Sequence, residues 1–147
     1  MHITQESDYA VRIVYCLAKC ACRRDARTVS EEMCVSLRFS LKILGKLVGS
    51  GIVESYKGNR GGYELARAPK EITLLDVITA VEGPYRLSRC VGEEGVSECN
   101  RGEADCCVFR TVFGDISREI NARLDGVTFA DLVSQAATAD ATRSQDN

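Results

Sequence analysis

No stretch of this chain reaches the ~18 consecutive apolar residues that a membrane-spanning helix needs. Its first residues, "MHITQESDYAVRIVYCLAKC", lack the basic start, apolar run and small-residue cleavage site of a secretory leader. Both absences point to the cytoplasm. Histidine is nearly missing as well: His2 is the only one, too close to the terminus to interpret, and no nucleophile–base pair is legible, which speaks against an enzyme. There is no internal repeat. The net charge is only −2, which argues against indiscriminate binding to nucleic acid.

What the chain has in excess is cysteine, eight in 147 residues. A chain of this length buries a core without disulfide staples, and a reducing compartment keeps thiols free unless they hold a metal or sense redox change. Four of the eight, Cys90, Cys99 and the adjacent Cys106 and Cys107, fall in "CVGEEGVSECNRGEADCC", a loop with no apolar stripe and no aromatic residue. The spacing C-x8-C-x6-C-C lacks the close C-x2-4-C knuckles of most structural zinc sites. Thiolates are soft ligands that suit zinc or an iron–sulfur cluster, and a glycine-bearing loop can wrap a cluster. Because adjacent cysteines rarely share one metal ion, three ligands are expected from the loop, with a vacancy for a fourth. Glu93, Glu94, Glu98, Glu103 and Asp105 surround the thiols and disfavour thiolate without a cation. Cys16 and Cys20 share a face of the first helix and read as small core residues, a redox pair there being the alternative.

The pattern along the chain predicts a mainly α protein: a winged helix-turn-helix with a two-stranded β wing, followed by a long C-terminal helix. A first helix runs from about Thr4 to Cys22, with Ala10, Val11, Val14, Leu17 and Ala18 at helical spacing and with Glu6 and Asp8 in its first turn, where the macrodipole favours carboxylates. A short helix capped by Thr28 or Ser30 and a second from Leu37 to Gly49 make the helix-turn-helix. The runs around Gly58, Asn59, Arg60, Gly61 and Gly62 form a hairpin, the wing. Thr73 and Asp76 cap a further helix that ends at Gly83 and Pro84. Beyond the cysteine loop, Val108, Val112, Ile116 and Ile120 recur every four residues beside Phe109 and Phe113, so a long helix runs to about Leu124. Its wide apolar face needs a partner, either the chain's own core or a second subunit. Thr128 and Asp131 cap a last short helix, and the polar tail is expected not to fold. The expected boundaries are a DNA-binding domain over 1–83, the cysteine loop over 84–107, the long and short helices over 108–135, and a disordered tail over 136–147.

Charge is distributed unevenly over these elements. Between Ser36 and Arg67 stand Arg38, Lys42, Lys46, Lys57, Arg60 and Arg67 against Glu54 and Glu64, a local charge of +4. Arg38, Lys42 and Lys46 form one stripe on the second helix of the pair. Such a face suits the major groove, with Ser36, Arg38 and Phe39 within reach of base edges. Arg60, on a glycine-rich tip, can enter a minor groove. The candidate DNA-binding set is therefore Ser36, Arg38, Phe39, Lys42, Lys46, Lys57 and Arg60.

Several stretches together resemble one family: "SDYAVR", "VSLRFSLKILGKLVGSGIVES", the wing "YKGNRGGYELAR", "EITLLDVITAVEG", and three spaced cysteines before a long helix. Over roughly residues 1–135 the chain resembles the winged-helix iron–sulfur transcription regulators that include IscR, NsrR and RirA. That resemblance implies a homodimer crossing over through the long helix, binding a palindromic operator in double-stranded DNA, and not associated with a membrane. It implies a [4Fe-4S] or [2Fe-2S] cluster held by Cys90, Cys99 and Cys107, with Cys106 as a substitute. It also implies a fourth ligand, Asp8, from the partner subunit, as in the nitric-oxide-responsive branch. Arg110 stands where one branch has a histidine ligand, and Ser40 where leucine is usual. The expected function is a repressor that senses nitric oxide, redox state or iron supply. The alternatives are a zinc-stabilised winged-helix interaction module, a thiol-based redox regulator without a cluster, and, last, a small iron–sulfur electron carrier or assembly enzyme.

Overall fold

The structure, a computed structural model, describes residues 3–58, 60–91 and 107–143. Its order is α1 (Gln5–Cys20), α2 (Ala26–Glu32), α3 (Leu37–Gly49), β1 (Val53–Tyr56), β2 (Gly62–Leu65), α4 (Leu74–Glu82), α5 (Val108–Asp125) and α6 (Phe129–Arg143), with a single 3-10 turn at Pro69–Glu71 before α4. The fold is the expected winged helix-turn-helix, with one two-stranded antiparallel sheet among the described residues.

The helices α1 to α4 begin where a side chain can satisfy their free amides. Thr4 caps α1 by accepting from Ser7 N, Ser36 caps α3 by accepting from Phe39 N, and Thr73 with Asp76 closes a reciprocal capping box on α4. The cap of α2 differs from expectation: it is Asp25, not Thr28 or Ser30. One Asp25 oxygen accepts from the amides of Arg27 and Thr28, and the other accepts from the Thr28 hydroxyl. A carboxylate one turn earlier satisfies two amides at once, which a hydroxyl at position 28 cannot do, and Ser30 lies buried instead, donating to Arg27 O. The same bonds, from the Thr28 hydroxyl first, hold the Asp25 carboxyl below its ordinary range.

The apolar faces of α1 and α3 meet in one core. Ala10, Ile13, Val14, Leu17, Ile43, Leu44 and Leu47 are fully buried or nearly so, with Val29, Ile52, Val53, Ile72 and Val77 around them. Phe129 completes this cluster although it lies beyond α5. The chain returns there through Leu74 N to Val127 O, Phe129 N to Ile72 O and Thr73 Oγ1 to Asp125, so α6 packs against α1 and the turn before α4. The helix then continues past Gln135 to Arg143, where polarity predicted a disordered tail. Ala136, Ala137, Ala139 and Ala141 are the reason: alanine has the highest helix propensity, so composition can sustain a helix that buries little.

In the sheet, Val53 pairs with Leu65, Glu54 with Glu64, Ser55 with Tyr63 and Tyr56 with Gly62. The glycines of the turn are sterically required. A Cβ on Gly61 would stand 2.6 Å from Tyr56 O, and one on Gly62, at φ 145°, would stand 2.7 Å from Arg24 O.

The long helix behaves differently. Its small residues Gly114 and Ser117 are buried against the segment that follows α4: Ser117 Oγ accepts from Leu87 N at 3.0 Å and donates to Phe113 O at 2.7 Å, and Asn121 Nδ2 donates to Tyr85 O at 3.2 Å. The apolar stripe is left outside, with Val108 70%, Phe109 60% and Val112 47% exposed, and Phe113 and Ile116 also uncovered. Among the described residues, this face is not part of the core.

Candidate nucleic-acid interface and cysteine segment

The three-cation stripe of α3 divides. Arg38 is exposed. Lys42 is exposed but leans on Glu6 of α1 at 3.3 Å and over the Phe39 ring at 5.4 Å. Lys46 is half-buried, 2.8 Å from Glu6 and donating to Val81 O at 2.7 Å. It ties α3 to α1 and to the end of α4, so of the stripe only Arg38 and Lys42 remain on the outer face. The two lysines, Lys46 first, hold the Glu6 carboxyl below its usual range.

Phe39 is also turned inward, edge-on to Tyr9 with ring centroids 5.6 Å apart. Sequence reasoning missed Leu41, 45% exposed on the outer face of α3 between Arg38 and Lys42. Its position in the helical repeat, three past Arg38 and one before Lys42, was the signal. An outer face of Ser36, Arg38, Leu41 and Lys42 combines cations with one apolar side chain, a pairing that can meet phosphates and a thymine methyl.

The wing carries Lys57 and Arg60 exposed at its turn; Asn59 lies outside the described residues. Two further arginines from what read as a polar break hold the wing in place. Arg24 N donates to Tyr63 O at 2.9 Å and Tyr63 N donates to Arg24 O at 2.7 Å, in effect a second partner for β2 beside β1. Arg23 stacks its guanidinium 3.4 Å above the Tyr56 ring, donates to Arg60 O at 3.3 Å and reaches Glu64 at 3.4 Å. Tyr56 in turn donates to Glu54 at 2.6 Å, which together with Glu64 pushes its phenol up to about 12.

Of the four loop cysteines, Cys90 and Cys107 are described, and Cys99 and Cys106 lie outside the described residues. Cys90 is half-buried, its Sγ 3.2 Å from Ser88 Oγ. Cys107 is half-buried at the N-cap of α5 with extended backbone, its carbonyl accepting from Thr111 N at 3.2 Å. Asp8 lies on α1, half-buried and paired with Arg12 at 2.6 Å. The first turn of α1 is fastened to the end of α4, where Glu82 accepts from the Thr4 and Ser7 hydroxyls, and the chain runs on from Glu82 to Cys90. Among the described residues, no three metal-ligating side chains converge.

The remaining cysteines separate sharply. Cys16 is core, as expected; burial, and then its hydrogen bond to Glu32 at 3.3 Å, pushes its thiol up to about 11. Cys20 is not core: it is bonded to Cys22 in a disulfide across the left-handed Ala21, the C-cap of α1. Cys34 is exposed in the turn between α2 and α3 with φ 54°.

Residues 3–135 match the model of Rrf2, described as an iron-dependent transcriptional regulator. The chain belongs to the Rrf2 family. Among curated relatives it is 32% identical over 148 residues to the Azotobacter vinelandii protein ORF2, whose name describes an HTH-type transcriptional regulator, a match covering 99% of this chain and 87% of that one. It is 36% identical over 105 residues to the HTH-type transcriptional regulator IscR of Serratia proteamaculans, covering 71% of this chain and 61% of the relative. The match thus spans about three fifths of the IscR proteins' own length. Among solved structures, T. potens IscR superposes with a TM-score of 0.75 at 24% identity, covering 95% of this chain and 90% of that one. CymR, the global cysteine regulator of B. subtilis, superposes with a TM-score of 0.72 at 24% identity, covering 92% and 98%. At that identity these two likenesses establish the fold. The Rrf2 family places the chain among DNA-binding transcriptional regulators rather than enzymes, and no helix among its described residues is long and apolar enough to cross a membrane.

Proposed function

We propose that the chain is a cytoplasmic, homodimeric repressor that reads a palindromic operator and reports nitric oxide, redox state or iron supply through an iron–sulfur cluster. The observation that carries this reading is the pair of half-buried free thiols at the two ends of the cysteine segment, Cys90 just beyond α4 and Cys107 at the N-terminus of α5. The donor set suits such a group: soft thiolates bind iron–sulfur clusters, and an anionic cluster is favoured at the positive end of an 18-residue helix. Cys90, Cys99 and Cys107 would hold it, with Cys106 as substitute and Asp8 of the partner subunit as the fourth ligand. When bound, a cluster with one carboxylate ligand supplies an iron open to attack.

The chain's own residues would do the rest. Asp8 must exchange Arg12 for the cluster, and its helix is clamped at Glu82 to the element from which the cysteine segment departs. Through Glu6 the same first turn grips Lys42 and Lys46 of α3. A change at Asp8 therefore has a short route to the outer face of Arg38, Leu41 and Lys42, and to the spacing of the two α3 helices in a dimer. The exposed stripe of α5 supports the dimer, since five large apolar residues left in water favour a second copy.

The test is anaerobic purification, with the visible spectrum, iron and acid-labile sulfide measured on one sample. Brown protein with both elements is expected, and Cys99→Ala should lose the colour and the signal response of DNA binding together. A colourless protein with stoichiometric zinc would replace this reading with the zinc-stabilised module. An alanine variant that kept full colour and response would remove Cys99 from the ligand set.

A further inference from the structure

We propose that Cys20 and Cys22 form a thiol–disulfide exchange site, taking a small-molecule disulfide as oxidant, that sets how firmly the wing is held. None of its atoms belongs to the segment 90–107, so the site stands apart from the cluster reading. In cytoplasmic proteins a disulfide is more often transient and redox-sensing than structural.

Three observations meet here. First, the two residues are separated only by Ala21, whose left-handed conformation turns the chain back so that the Cα atoms stand 5.1 Å apart, within the span a disulfide bridges. Second, Cys22 is exposed and borders a cavity of about 240 Å³ walled by Leu17, Ala21, Glu64, Leu65 and Arg67, an opening through which one arm of a small disulfide can reach the sulfur. Cys16, the nearest cysteine along α1, is buried and bonded to Glu32, so it does not compete. Third, the residues that follow are the anchors of the wing. Arg23 stacks on Tyr56 and donates to Arg60 O, while Arg24 exchanges two backbone hydrogen bonds with Tyr63. Position 62 admits only glycine because the backbone of Arg24 lies against it. One residue from Cys22, the state of the pair meets the contacts that aim Arg60.

The chemistry balances. The Cys22 thiol loses its proton to solvent, and the thiolate attacks one sulfur of RSSR, forming a Cys22–S–S–R mixed disulfide and expelling RS⁻, which takes up a proton. The Cys20 thiolate then attacks Sγ of Cys22, expels the second RS⁻, and closes the Cys20–Cys22 bond. The pair loses two electrons and two protons, and one RSSR becomes two RSH. In the bonded state described here Arg23 and Arg24 are held against the wing. Opening the bond releases the Ala21 turn and loosens both anchors.

The test equilibrates the full chain anaerobically in mixtures of reduced and oxidised glutathione, then traps free thiols with iodoacetamide and maps them by mass spectrometry. On the same samples, affinity is measured at fixed salt for a duplex that the chain itself has selected from a random pool, together with visible absorption. The peptide containing residues 20–22 is expected to pass from doubly alkylated to internally bonded as the mixture becomes more oxidising, and DNA affinity to rise with it by about five-fold or more. Cys22→Ser should abolish the transition, and Cys20→Ser should leave glutathione trapped on Cys22. The wild-type transition needs neither variant, so a variant that fails to fold leaves the test intact. A peptide still doubly alkylated at the most oxidising ratio would overturn the proposal, as would unchanged affinity across a completed transition. It would be overturned too if affinity followed the visible absorption instead of the peptide. Colourless protein with the peptide transition intact would remove the cluster reading and leave this one standing.

Discussion

The winged-helix half and the long helix treat apolar surface in opposite ways. In the first, the apolar faces of α1 and α3 are covered within the chain, and Phe129 crosses back from beyond α5 to fill the last gap. In the second, α5 buries a glycine and a serine and leaves Val108, Phe109, Val112, Phe113 and Ile116 in water. The first region is closed by residues of the chain itself, Phe129 included, whereas the apolar stripe of α5 stays outside that core. Under the proposed function, the exposed stripe of α5 is the surface that a second copy of the chain would cover.

Phe129→Ala removes the ring that joins α6 to the core. If the core is one unit, removing this ring costs about 3–5 kcal/mol, read as a large drop in urea midpoint and in thermal midpoint. If α6 were a loose appendage, the change would be small.

Phe109→Glu probes the other half. Stability of the isolated fold should change by no more than about 0.5 kcal/mol, as at an exposed site. Self-association measured by sedimentation should weaken about 30-fold if this ring sits near the centre of a dimer face. Equal loss in both measurements would mean that α5 belongs to the same core after all.

Asp25→Ala should lower the urea midpoint of unfolding, and Thr28→Ala should lower it less, because Asp25 and not Thr28 is the cap of α2. The smallest effect concerns Glu6. Its folded-state carboxyl lies below the ordinary value of 4.5, chiefly through Lys46. Its contribution to stability is therefore complete above about that value and fades as pH falls through the lowered one. Glu6→Gln should flatten this acid limb of the stability curve while leaving stability at pH 8 lower than in the parent.

Much of this was legible from local pattern. Helical spacing marked α3 from Leu37 to Gly49, the Thr73 and Asp76 pair marked the start of α4, and the glycines of the wing marked its turn, because caps, periodicity and left-handed turns are short-range rules. The candidate DNA face was legible as charge but not as direction. Arg38, Lys42 and Lys46 share a stripe by spacing, yet Lys46 turns inward to Glu6 and Val81 O. A long aliphatic side chain goes wherever a distant carboxylate and carbonyl accept it. Arg23 and Arg24 looked like a break for the same reason: their partners, Tyr56 and Tyr63, lie more than thirty residues on.

Local pattern, though not enough for the cap of α2 or the length of α6, was enough for the order of the helices, the wing, the family and the concentration of thiols before the long helix. Each of these is written in residue type and spacing along the chain. Only the tertiary structure decided which cations face outward, that Cys20 pairs with Cys22 rather than joining the core, that Phe129 returns to the first domain, and that the stripe of α5 is left uncovered. These depend on which surfaces meet across long separations, and a side chain's role follows from the neighbours that folding brings to it.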